Sequence, residues 1–210
     1  LDTGIRQRIV RAVGAEVLGQ FLNIGIRLLL VPLFLSAWGA QAYGEWLILT
    51  AAAAWFGLGD LGGGLYFTNR MTVAWADGRR DDFQKVLSTG LSFFLGSSSI
   101  LFGCVVLGLT WPPLLPWLGL HTVDMEVAKL VLLVMALRFL VALPVGLLLG
   151  IYRATGAQAT SVMYGNLMLV IQFIASAFAL LMGGGMLILA TLEVLPLLMV
   201  TVFVCRDLRR

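Results

Sequence analysis

Residues 13–37 read VGAEVLGQFLNIGIRLLLVPLFLSA, and this stretch decides the fold. Its length, about 25 mostly apolar residues, suffices to carry one helix across a hydrocarbon core of about 30 Å. The polar residues within it are ordered. Glu16, Gln20, Asn23 and Arg27 follow at steps of four, three and four, which places them on one stripe of a helix otherwise made of Leu, Ile, Val and Phe. In lipid such a stripe has to face a bundle interior or an aqueous cavity. The stretch therefore predicts one member of a helical bundle.

The rest of the 210 residues supplies the other members. Hydrophobic residues make up 60% of the chain and charged residues 12%, with a mean hydropathy of +0.98; an average soluble domain carries roughly 25% charged residues. Further spans are predicted near 43–67, 86–109, 127–151, 160–182 and 185–204. The fold class expected is an all-α membrane protein, a six-transmembrane-helix bundle forming a single lobe over residues 1–210. Thr110-Trp111-Pro112-Pro113-Leu114-Leu115-Pro116-Trp117 is too proline-rich to continue a helix and reads as an interfacial turn. Met182-Gly183-Gly184-Gly185-Met186 is short enough to force the last two spans into a tight antiparallel hairpin.

Basic residues in short loops resist translocation and so set orientation. With the N-terminus cytoplasmic, Arg6, Arg8, Arg11, Arg70, Arg79, Arg80, Lys85, Arg153, Arg206, Arg209 and Arg210 fall on the inner side, and of the 14 Lys plus Arg only Lys129 falls on the outer. Arg27 and Arg138 sit inside spans. Trp38, Trp46, Trp111 and Trp117 mark the outer boundary, with Trp75 and Tyr152 near the inner one. Both termini of this stretch are expected in the cytoplasm. The net charge of +3 and pI of about 9.2 then report topology and contact with anionic membrane lipids, with no nucleic acid implied. The chain lacks a starting Met and a cleavable signal, and reads as a piece of a longer protein.

Several patterns carry no chemistry in this setting. Gly57-Leu58-Gly59-Asp60-Leu61-Gly62 satisfies GxGxxG, but no βαβ unit fits inside a run of membrane helices. Gly59 and Gly63 form a GxxxG pair, continued by Ser88, Ser92 and Gly96 as a small-residue ridge for helix packing. His121 has no companion ligands, so no metal and no other cofactor is expected. Cys104 and Cys205 lie at different depths and predict no disulfide.

The informative residues are the polar ones at membrane depth. Arg27 lies roughly 16 Å from the Trp38 boundary at about 1.5 Å per residue, Arg138 a similar distance into its span, and Glu193 nearer the outer surface. Two arginines against one carboxylate leave positive charge that only water or an anionic ligand can compensate, and guanidinium matches phosphate geometry. Ser161, Gly165, Met168, Gln172 and Ser176 give the fifth span a second polar stripe, and Pro32, Pro144 and Pro196 interrupt three spans near these charges. Candidate substrate-binding residues are Arg27, Arg138, Asn23, Gln20 and Gln172. Glu193, Asp60 and Glu16 are candidates for ion coupling. The plainer roles are a counter-ion for Glu193 and, for Asp60, acceptance of backbone N–H groups at the glycine-rich break.

Val31-Pro32-Leu33, Trp38-Gly39-Ala40-Gln41-Ala42-Tyr43-Gly44-Glu45-Trp46, Leu58-Gly59-Asp60-Leu61-Gly62 and Asn69, followed by Ala76-Asp77-Gly78-Arg79 and Ser88-Thr89-Gly90, resemble the opening of bacterial polysaccharide flippases of the O-antigen translocase type. These belong to the multidrug/oligosaccharidyl-lipid/polysaccharide exporter superfamily, whose MATE-like members have about twelve to fourteen spans in two six-helix lobes. The resemblance implies half of such a transporter, here the first lobe, with a second six-helix lobe as partner. It implies no enzyme. It implies a carrier in the bacterial cytoplasmic membrane that moves an isoprenoid-pyrophosphate-linked oligosaccharide outward by alternating access, for surface polysaccharide or lipopolysaccharide biosynthesis. A multidrug or cation exporter of the same superfamily, an integral-membrane lipid-phosphate enzyme and a purely structural subunit are the competing expectations.

Overall fold

The computed structural model describes residues 3–111 and 116–207, with side chains from residue 10 onward except those of 12 and 116. Of the interfacial turn expected over 110–117, residues 112–115 lie outside the described residues, and Trp111 and Trp117 on either side meet edge-on at 5.7 Å. Among the described residues the regular structure is all helical: α1 (Thr3–Ala54), a 3-10 helix (Trp55–Asp60), α2 (Gly63–Ala76), α3 (Arg80–Leu109), a short 3-10 turn (Pro116–Leu118), α4 (Met125–Ala154), α5 (Gln158–Leu181), α6 (Met186–Leu192) and α7 (Leu195–Asp207). Five helical runs are long and apolar enough to cross a membrane: Val13–Ala76, Arg80–Leu109, Met125–Ala154, Gln158–Leu181 and Met186–Asp207. The chain is an all-α, multi-pass membrane protein. Its surface agrees, since Phe21 (71% exposed), Leu28, Ile100, Leu107 and Leu181 all point outward, a waste of apolar area in water and the expected arrangement in lipid.

The first of these runs is not straight. Gly39 adopts φ 76° and ψ 170°, a conformation open essentially to glycine alone, and there α1 turns back on itself. Phe34 and Trp46 would stand about 18 Å apart on one straight helix, yet their ring centroids lie 6.2 Å apart. Stacking of Phe34 on Tyr43 (4.9 Å) and edge-on contacts of Trp38 with Phe34 (5.2 Å) and Trp46 (5.6 Å) fasten the two limbs. Such pairs contribute about 0.5–1.5 kcal/mol each beyond burial. Trp38 also donates its Nε1–H to the Gly184 carbonyl at 2.9 Å, tying this corner to the glycine hairpin between α5 and α6.

The span placed at 43–67 is interrupted at the glycine-rich break around Asp60. Leu61 and Gly62 both take left-handed conformations (φ 46° and 78°), and the Asp60 carboxylate accepts the Gly64 N–H at 2.8 Å, so the chain tightens into 3-10 geometry and restarts as α2. The last span is likewise divided. Pro196 has no N–H to offer the Leu192 carbonyl, and the helix stops at Leu192 and resumes at Leu195. Pro32 and Pro144 are carried inside α1 and α4 without ending them.

α4 is the axis of the bundle and touches every other α-helix. Small residues set the close approaches. A Cβ on Gly150 would lie 2.5 Å from Thr68 Oγ1, one on Gly59 2.5 Å from Leu101, and one on Gly90 2.7 Å from Leu147. The ridge expected from Ser88, Ser92 and Gly96 is corrected by this packing. Ser88 and Ser92 are exposed and Gly96 faces open space, because α3 turns the Gly90 face, offset by two residues, toward α2 and α4. Cys104 and Cys205 are free thiols.

Candidate functional site

Polar side chains from four parts of the chain converge on one cavity of about 280 Å3. The first limb of α1 brings Asn23 and Arg27, α4 brings Arg138, α5 brings Gln172 and Ser176, and the break between α6 and α7 brings Glu193. Phe34 and Trp46 close one end, so the aromatic fastening of the Gly39 corner doubles as a wall of the site.

Arg138 is held on two sides. Its Nε stands 3.5 Å from Glu193 Oε2, and its Nη2 donates to Gln172 Oε1 at 3.3 Å. Side-chain exposures of 26% for Arg138 and 14% for Glu193 make this a shielded pair that still opens on the cavity. Glu193 caps the carbonyl end of α6, where a helix dipole opposes negative charge, so Arg138 supplies the compensation. The break before Pro196 leaves that carboxylate between α6 and α7, opposite Arg138.

Arg27 differs. It is exposed on the same cavity, and among the described residues no carboxylate lies within ion-pair distance of it. Since Arg138 has its own counter-ion, the uncompensated positive charge of the cavity rests on Arg27. Asn23 and Gln172 add neutral amides beside the two guanidinium groups.

The structure thus brings together Arg27, Arg138, Asn23, Gln172 and Glu193. It separates the remaining candidates. Gln20 and Glu16 lie exposed on α1 toward its start and do not line this cavity, because the face of α1 that meets α5 at this depth is that of Ala15 and Gly19, one residue round the helix, where Asn166 donates an amide N–H to the Ala15 carbonyl at 2.9 Å. Asp60 lines a different cavity, between α2 and α4, while one of its oxygens caps Gly64.

Glu45 was not singled out by sequence reasoning as a site of its own, and it is one of the few buried polar residues (4% exposed). Its carboxylate accepts the backbone N–H groups of His121 (2.8 Å), Thr122 (2.6 Å) and Val123 (2.8 Å), directly before the Asp124 cap of α4. Three convergent N–H groups form an anion-binding concavity. Here the second limb of α1 fills it and thereby fixes where α4, and with it Arg138, begins. The signal available in the sequence was a lone acid one residue from Trp46 in an apolar run.

Chemically, the cavity offers one paired and one unpaired guanidinium, two amides and an aromatic end, an arrangement that favours an oxyanion over a cation. No family profile matches the chain, and neither a curated protein nor a solved structure matches it.

Proposed function

We propose that this chain is the first lobe, six passages in all, of a MATE-like flippase that carries an isoprenoid-pyrophosphate-linked oligosaccharide from the cytoplasmic to the outer leaflet of a bacterial cytoplasmic membrane. In this reading the doubled-back α1 supplies the first two passages, and a second six-helix lobe encloses the polar cavity and rocks against it around the bound cargo. The observation that carries the reading is the meeting of Arg27 and Arg138 on one cavity against the single carboxylate of Glu193. Excess positive charge at membrane depth is tolerable when a diphosphate occupies it, and a cation exporter gains nothing from it. The motif resemblance between Val31 and Arg70 supplies the cargo class.

The test is transport of a fluorescent isoprenoid-pyrophosphate-linked sugar by the intact protein in vesicles, followed as protection from an external quencher. The double variant Arg27→Gln/Arg138→Gln is expected to lower the rate per folded protein molecule more than tenfold. A rate equal to that of the parent protein overturns the reading.

A second reading has its own support. The Arg138–Glu193–Gln172 contacts are those of a structural lock between α4, α5 and the α6–α7 break, and they suffice to explain why these three residues are polar.

A further inference from the structure

A second interhelical cavity, about 520 Å3, runs between α2 and α4. The face of α4 that carries Arg138 continues through Ala142 and Leu149 to Arg153 at steps of four, seven and four, so both cavities share one side of the same helix. The opposite wall rises from the glycine-rich break: Asp60, Thr68 and Thr72 fall at multiples of four, with Asn69 beside them. Leu143 packs over Gly59, next to Asp60, and lies ten residues before Arg153. The acidic and basic ends of the groove are therefore about 15 Å apart along α4. Hydroxyl and amide groups occupy the interval at one-turn spacing.

That gradient is selective. A metal or organic cation would meet one carboxylate, half used by Gly64, and would share the groove with Arg153. A bare phosphate would leave most of the volume and all of the middle groups idle. A ligand with phosphate at one end and several hydroxyls behind it suits these groups, because the carboxylate, amide and threonine oxygens accept from hydroxyls and the Asn69 amide donates, while the Thr72 hydroxyl proton is held by the Thr68 carbonyl at 2.8 Å. Two glycines keep the space open, and a Cβ on Gly146 would meet nothing within 4 Å.

We infer that the α2–α4 groove binds the polyhydroxylated headgroup of a lipid phosphate, with Arg153 on the phosphate, Thr72 and Asn69 on the hydroxyls of the first ring, and Thr68 and Asp60 on those of a longer headgroup that spans the groove. This deepens the proposed function and rests on it: the headgroup loads at Arg153, on the cytoplasmic side, and the shared face of α4 leads from there to Arg138.

The intact protein in phosphatidylcholine nanodiscs is titrated with dioctanoyl phosphatidylinositol, with dioctanoyl phosphatidate, which keeps the phosphate and lacks the hydroxyls, and with soluble inositol phosphate. The inositol lipid is expected to bind at least tenfold tighter than phosphatidate. Asn69→Ala/Thr72→Val lowers only the inositol-lipid affinity, at least fivefold; Arg153→Gln lowers both; Gly146→Phe, which fills the groove from an unobstructed position, abolishes inositol-lipid binding while the melting temperature holds. Equal affinity for the two lipids, or unchanged affinities in these variants, overturns the inference. Soluble inositol phosphate binding as tightly as the lipid overturns the assignment to a lipid. Because binding is read at equilibrium and without transport, the two readings fail separately. Selective binding by the groove in a protein whose Arg27→Gln/Arg138→Gln variant transports normally sinks the carrier reading alone, and loss of transport in that variant without selective binding sinks the groove alone.

Discussion

Arg138 and Glu193 meet at 3.5 Å across the space between α4 and the α6–α7 break, with Gln172 completing the contact from α5. Removing one charge strands the other in a shielded place, so Arg138→Gln and Glu193→Gln should each lower unfolding free energy by about 2 kcal/mol, between the values for exposed and fully buried pairs. The double variant Arg138→Gln/Glu193→Gln should recover most of that loss, as a melting series in detergent will report. Transport separates the two functional readings: a double variant as active as the parent assigns the pair to structure alone, whereas a stable but inactive one requires the Arg138 charge for cargo.

Glu45 makes a second prediction. Glutamine keeps the size of the side chain but replaces one acceptor oxygen with an NH2 group that faces N–H donors. Glu45→Gln should destabilise the protein by about 1.5–3 kcal/mol, the range for hydrogen bonds to a charged acceptor. Hydrogen exchange should accelerate at the amides of His121, Thr122 and Val123 before anywhere else. Unchanged protection at those three would refute the role assigned to the carboxylate.

The contrast between Glu45 and Arg27 shows what a sequence makes legible. Arg27, Arg138, Gln172 and Glu193 were identifiable because charge at membrane depth is costly and a 3.6-residue period says which residues share a face. Their convergence on one cavity follows from helices that each had to hide a polar stripe. Glu45 was opaque because its partners are backbone N–H groups 76 to 78 residues away, which no side-chain pattern encodes. The α2 break was half legible. Gly59-Asp60-Leu61-Gly62 marked a weak point, but only the Asp60–Gly64 bond and the left-handed Leu61 convert it into a separate helix start. The division of the last span was legible as Pro196, while the inward turn of Glu193 depended on α4 offering Arg138.

Gly39 yields a third prediction. At φ 76° and ψ 170° a Cβ is strained regardless of free space, and none of its neighbours would obstruct one. Gly39→Ala should therefore cost about 1–3 kcal/mol from backbone strain alone. Gly25, in the same helix with equal room and helical geometry, is the control, and Gly25→Ala should be neutral or stabilising by up to about 1 kcal/mol. Equal melting temperatures for the two variants would show that the corner relaxes without strain.

The face that α3 turns toward the bundle can be tested the same way. Gly90 and Gly96 both lie in the interior of α3, so alanine brings each the same gain in helix propensity, about 0.5–1 kcal/mol. At Gly96 nothing lies within 4 Å of the added methyl, and Gly96→Ala should keep that gain. At Gly90 the methyl would lie 2.7 Å from Leu147 Cδ2 and 3.0 Å from Phe67 Cγ. Leu147 is buried to 1% exposure and the Phe67 contact is at the root of its ring, so neither yields by a simple rotation. Overpacking there costs about 1–3 kcal/mol, and Gly90→Ala should melt below the parent protein while Gly96→Ala melts at or above it. A reversed order would mean that α3 presents the Ser88, Ser92 and Gly96 ridge inward after all, and the wall of the α2–α4 groove would have to be redrawn, since Leu147 lines it.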